Sequence, residues 1–135
     1  MALPRQQVVD TVLEMLHRWN SGDREGWIAM WHEDCTIDDP VGAPTKHGLD
    51  AVHQSWEAGF SLEPWLIVPG PMIVCGNAAA FTASHMTKLE GQTVVLQDIE
   101  VWELADDGRF NRVRAYYEPL AGTPDYFVPT AEEGA

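Results

Sequence analysis

The chain has 135 residues, enough for one domain built around a single core. Its 45% hydrophobic and 21% charged residues are ordinary globular composition and exclude wholesale disorder. A formal charge of −13 excludes nucleic acid, which needs clustered Lys and Arg, and disfavours anionic membranes and strongly anionic substrates; a neutral small molecule is the easiest ligand to reconcile with it.

Met1-Ala2-Leu3-Pro4-Arg5-Gln6 lacks the apolar core of a signal peptide, and no apolar run approaches the roughly 20 residues that span a bilayer. The expectation is a soluble, cytoplasmic protein. After Pro4, a favourable helix start, Val8, Val9, Val12, Leu13, Leu16 and Trp19 recur at helical spacing. Asn20-Ser21-Gly22-Asp23 ends that helix, and Asp23 suits the N-cap of a second, which carries Trp27, Ile28, Met30 and Trp31 and stops near Asp34. An extended segment from Cys35 to Asp39 is broken by Pro40 and Gly42. A third helix, about 49–60, places Val52, Trp56 and Phe60 on one stripe.

From about residue 62 the pattern is that of strands: 66–68, 72–74, 78–89, 93–104 and 110–117. Glu90-Gly91 and Asp106-Asp107-Gly108 are hairpin signals, and Pro64, Pro69 and Pro71 confine the first strand region to an edge or to pieces. The tail, about 120–135, reads as loose. Three helices followed by an antiparallel meander give an α+β layer, helices on one face of a curved sheet, with a ligand at its open mouth. Cys35 and Cys75 show no CxxC spacing and read as buried free thiols.

There is no glycine-rich phosphate loop, GxSxG elbow or HExxH. His17, His32, His47, His53 and His85 fall at no metal-ligand spacing, and His32-Glu33-Asp34-Cys35 reads as a solvated helix end, so no metal and no cofactor are expected. What remains is carboxylates in apolar company. Alternation sends Asp38 and Asp39 to opposite faces, leaving one of them free to enter a cavity, unless both are simply turn residues before Pro40. On the strand 93–104, Asp98, Glu100, Trp102 and Leu104 share a face, and Ile99, Val101 and Glu103 the other. A glutamate there is either on an exposed outer face or buried, which is costly unless it is paired or protonated.

Together these residues resemble the ketosteroid isomerase family of the nuclear-transport-factor-2-like, or SnoaL-like, superfamily, over roughly residues 5–118. Asp34-Cys35-Thr36-Ile37-Asp38-Asp39-Pro40-Val41-Gly42 is similar to the family's DATVEDPVG stretch, and the family's catalytic aspartate falls on Asp39. Leu96–Leu104, with Asp107-Gly108-Arg109 and Arg114-Ala115-Tyr116-Tyr117, resembles VIDVxRFDxxGRI…AYW and places Glu100 where the family keeps a protonated aspartic acid. The resemblance implies a cone-shaped, cystatin-like α+β barrel with three N-terminal helices on a curved, mainly antiparallel sheet. It implies a steroid Δ5-3-ketone isomerase and a homodimer, the strand face of Ile99 and Val101 needing cover.

In that reading Asp39 takes a proton beside a ketone and returns it two carbons along, while Glu100, as a neutral acid, donates to the oxyanion. Met15, Trp31, Trp56, Phe81, Asp98, Trp102, Val113 and Tyr117 complete the expected site, in a pocket wide enough for fused rings. Asp98 would raise the pKa of Glu100, and the Tyr117 hydroxyl would hold Asp39. Three departures matter: the family's first-helix tyrosine aligns with Met15, which cannot donate, and its two supporting tyrosines align with Trp31 and Trp56. Losing one oxyanion donor costs about 10²–10³ in rate. A SnoaL-like cyclase or epoxide hydrolase, or a non-catalytic binding dimer, is the alternative. The hydrolase option is weakened because Arg112 and Arg114 are expected on the face away from Val113.

Overall fold

The computed structural model describes residues 2–60, 63–89 and 91–118; the tail and Glu90 lie outside the described residues. Helix α1 (Arg5–Asn20) buries Val8, Val12, Met15, Leu16 and Trp19, whereas Leu13, expected on the stripe, is exposed. Its end is tied to the sheet by Asn20, whose side chain both accepts from the Ile67 N–H and donates to the Ile67 carbonyl. The short α2 (Arg24–Ile28) is capped as expected, the Asp23 carboxylate accepting from the Gly26 N–H.

Helix α2 does not reach Asp34. Trp31 instead opens strand β1 (Trp31–Asp38), and the Phe110 N–H donates to the Met30 carbonyl just before it. Local spacing favoured helix at Trp31, but pairing with a strand 79 residues later won, because it buries the ring against Trp102 and Phe110. Strand β2 (Lys46–His47), not foreseen, pairs with β1 and runs directly into α3 (Gly48–Phe60).

Strands β3 (Glu63–Pro69), β4 (Ile73–Cys75), β5 (Ala78–Leu89), β6 (Gln92–Leu104) and β7 (Phe110–Tyr116) follow the expected segments closely. The sheet order is β2-β1-β7-β6-β5-β3, with β4 also on β5. Every pairing is antiparallel except β1 with β7, so the sheet is mixed rather than a pure meander. The α+β architecture, helices on one face of a curved sheet, is otherwise as anticipated.

The inward faces carry Trp31, Cys35 and Ile37 of β1, Trp65 and Ile67 of β3, Phe81 and Ala83 of β5, Glu100 and Trp102 of β6, and Val113 of β7. Both cysteines are free thiols, but Cys75 is exposed rather than buried. No helix among the described residues is long and apolar enough to cross a membrane.

Candidate active site

The cavity between helices and sheet measures about 130 Å³ and is lined mainly by rings, with Asp39, Lys46, His85, Asp98 and Glu100 as its ionisable groups. That is tighter than the fused-ring pocket expected from sequence, because Trp19, Trp27, Trp31 and Trp102 pack edge-on and tilted, with centroids 5.1–5.2 Å apart along the row. Gly59 permits this closeness: a methyl at that position would overlap the Trp19 indole.

Asp39 follows β1, two positions beyond the inward-facing Ile37, and alternation carries it into the cavity. Its neighbour Asp38 turns away and accepts from the Thr45 hydroxyl at 2.5 Å. Burial raises the Asp39 pKa above the ordinary 3.8, and the Glu100 charge adds to this; the Tyr117 hydroxyl bond, Lys46 and His85 oppose it. Lys46 lines the cavity because β2 pairs it with Ile37, which places a cation near Asp39.

Further along the same sheet, on β5 and β6, a second group of ionisable side chains lines the cavity. The hairpin register sets Phe81 opposite Glu100, Ala83 opposite Asp98 and His85 opposite Leu96, all on one face. His85 Nε2 lies 2.7 Å from Glu100 Oε2 and 3.3 Å from Asp98 Oδ2. The Trp102 indole donates to Glu100 Oε1 at 2.7 Å, and the Trp65 indole donates to His85 Nδ1 at 3.0 Å.

Two influences conflict at His85. Burial lowers its pKa, but its bonds to Asp98 and Glu100, reinforced by their charges, push it up to about 10. Trp65 counters this, since an indole N–H only donates, and a proton on Nδ1 would meet it head-on. The two influences oppose each other: the carboxyl groups favour the imidazolium, while the Trp65 bond favours the neutral Nε2–H tautomer.

The carboxyl pair then divides its roles. Burial alone would raise Glu100, but the bond from His85 and the charge His85 carries when protonated, with bonds from Asp98 and Trp102, outweigh it and hold the group below its ordinary value. Burial and the Glu100 charge lift Asp98 to about 8. The directions differ from the expectation for Glu100: Asp98 is raised and Glu100 lowered, so the proton belongs to the pair, with Asp98 favoured to hold it. The proton lies between the two, and Asp98 Oδ1 is buried with no bonding partner.

Of the residues expected at the site, Met15, Trp31, Asp39, Asp98, Glu100, Trp102 and Val113 line the cavity. Tyr117 stands behind it as the bond to Asp39. Trp56 stacks on Phe60 at 4.1 Å and Phe81 is core; neither lines the cavity. His85, Trp65, Trp27, Trp19 and Lys46 were not foreseen. Among the described residues, the buried indole N–H groups of Trp19, Trp27 and Trp31 find no hydrogen-bond partner, a cost of about 1–3 kcal/mol each unless something accepts from them.

His85, Asp98 and Glu100 come close enough to offer three ligand atoms to a metal ion. The donor set does not suit one. A metal on Nε2 would require Nδ1 to carry the proton and donate it outward, and Trp65 occupies that direction as a donor.

The sequence pattern of the SnoaL-like domain family matches residues 12–124. The chain belongs to this family. It is 26% identical to the steroid Delta-isomerase of Nocardioides simplex over 113 residues, 84% of this chain and 91% of that one. Among solved structures it is similar to the epoxide hydrolase/cyclase-like enzyme SalBIII, described for its role in pyran ring formation in the polyether salinomycin. There the TM-score is 0.78, with 23% identity, 84% of this chain covered and 92% of the other. It is also similar to RV0760c from Mycobacterium tuberculosis, solved with estradiol-17beta-hemisuccinate, at a TM-score of 0.74, 16% identity, and coverage of 83% and 94%. Relatives of this SnoaL-like chain therefore include isomerase and cyclase-type enzymes, on the nuclear-transport-factor-2-like fold seen here.

Proposed function

We propose that this SnoaL-like protein is a cofactor-independent proton-transfer enzyme that isomerises an unsaturated ketone of the Δ5-3-keto steroid type. The observation that carries this reading is a buried carboxyl group, Asp39, sharing one apolar cavity with the carboxyl pair Asp98 and Glu100, where burial and mutual charge favour retention of a proton. Asp39 removes the proton between the carbonyl and the alkene, the electrons move into a dienolate, and Asp39 returns the proton two carbons along. The Asp98–Glu100 pair lines the same cavity, where it supplies a proton or hydrogen bond to the developing oxyanion. The likeness to the Nocardioides simplex isomerase supports the same chemistry.

Two substrates test it. A Δ5-3-keto steroid must widen a cavity of about 130 Å³, whereas cyclohex-3-enone probes the chemistry in the cavity as it stands. Conversion to the conjugated ketone, followed by ultraviolet absorbance, is the expected result. No conversion of either ketone, or conversion unchanged in Asp39→Asn, overturns the proposal.

A second reading, acid-assisted epoxide opening or ring closure, is favoured by the same neutral acid next to a base and by the likeness to SalBIII. Arg112 and Arg114 do not line the cavity, so an Asp-Arg-Asp arrangement is not met among the described residues. Turnover of an epoxide with none of either ketone would select this reading. The homodimer expected from the resemblance is supported by the outer sheet face, where Val68, Ile99 and Tyr116 are exposed; sedimentation of wild type against Ile99→Asp tests it.

A further inference from the structure

We propose that Trp65 is a positioning residue that locks His85 in its Nε2–H tautomer and thereby keeps the active-site proton on the Asp98–Glu100 pair. The catalytic consequence rests on the acid–base reading above, but the tautomer itself is measurable without any turnover.

The geometry is a chain of donors with one direction. Trp65 donates to His85 Nδ1, so that nitrogen offers a lone pair and Nε2 carries the hydrogen. Nε2–H then donates to Glu100 Oε2, while Trp102 donates to Glu100 Oε1. Both donors are neutral, and they occupy both oxygens of one carboxylate. Glu100 is therefore stabilised as an anion without a cation beside it. Asp98, close to that anion and also facing Nε2–H at 3.3 Å, is left to hold the proton.

An imidazolium at His85 would reverse this. It would place a full positive charge beside two carboxyl groups, which favours the ionised form of each and weakens the pair's hold on its proton. The groups bearing on His85 are Asp98 and Glu100 from β6, Trp65 from β3 and, more distantly, Asp39 after β1. All three carboxyl groups favour the imidazolium; Trp65 is the member that opposes it. Its ring meets the imidazole edge-on, with centroids 5.9 Å apart and planes at 90°, an arrangement compatible with an N–H aimed at the ring nitrogen. The indole is buried in the core, so its orientation is fixed by packing rather than by His85 alone.

The test is nitrogen-15 NMR of the His85 ring in the full-length protein near pH 7. The expected spectrum is a neutral ring with Nε2 protonated and Nδ1 bare, coupled to the Trp65 indole proton. Trp65→Phe retains an aromatic ring and removes the N–H, so His85 should become protonated near neutral pH. The alkaline limb of the activity profile should then fall by about one pH unit, as the acid pair ionises earlier. An imidazolium in the wild-type protein at pH 7 overturns the proposal, and that measurement holds even if Trp65→Phe does not fold. Identical His85 titration in wild type and a folded Trp65→Phe overturns it equally. Persistence of the tautomer with no ketone turned over would instead separate it from the isomerase reading.

Discussion

The two walls of the cavity are built differently. Asp39 comes from one contiguous stretch, strand β1 and the turn beyond it, and its placement needs only alternation and a proline. The acid wall takes Trp65 from β3, His85 from β5, and Asp98, Glu100 and Trp102 from β6, and it exists only when three strands are in register. A single carboxylate with a raised pKa suffices for a base. Keeping an acid neutral takes a network, because two carboxyl groups close together must be prevented from both ionising.

The sharpest way to break this contrast is Asp39→Asn. The amide keeps the shape and removes the base, so ketone turnover should fall by about 10²–10⁴ while the His85 tautomer stays unchanged. A loss of the tautomer as well would mean that the walls are one coupled unit. Asp98→Asn attacks the other wall, with an expected loss of about 10²-fold through removal of the acid. Its more telling signature is the pH profile. Wild-type activity should rise with pH as Asp39 ionises, at a pH above the usual carboxylate value, and fall again near pH 8 as Asp98 ionises. In Asp98→Asn the alkaline limb should vanish and the acid limb remain.

The same contrast explains how much was legible from sequence. Asp39 was readable because its motif is local and Pro40 punctuates it. Glu100 was legible as a cavity residue from strand alternation, but where the proton of the pair sits depends on His85 and Trp65 rather than on its own strand. His85 was within reach: strands 78–89 and 93–104, paired as one hairpin, put it on the face of Asp98, one diagonal step away. Reading each histidine for metal spacing along the chain hid that relation. Trp31 was misplaced in a helix because its spacing from Trp27 and Met30 fits one, and only the distant partner Phe110 decides otherwise.

Gly59 tests the floor that both walls share. A methyl there meets the Trp19 ring, which is itself held by Trp27, Trp56, Phe60 and Trp65. Gly59→Ala should therefore destabilise the fold by about 1–3 kcal/mol through overpacking, read from denaturant midpoints. Turnover per folded molecule should drop on both limbs of the pH profile alike, unlike either wall variant.

The smallest effect is the most specific to the acid wall. Asp98 has a folded-state pKa of about 8 against an ordinary 3.8, so between those values the folded protein holds a proton that the unfolded chain has released. Stability must then decline as pH rises through that window, and the contribution is largest below it. Asp98→Asn removes the ionising group and keeps a donor for Glu100. The variant should consequently melt higher than wild type above pH 8, by about 4 °C for each kcal/mol recovered in a domain of this size, with the gap closing toward pH 4. Asp39→Asn should show the same direction, because burial raises that group too. Tyr117, Lys46 and His85 oppose that rise without cancelling it. A larger gain from Asp39→Asn than from Asp98→Asn would show that the base, and not the acid pair, is where this fold gives up stability for its chemistry.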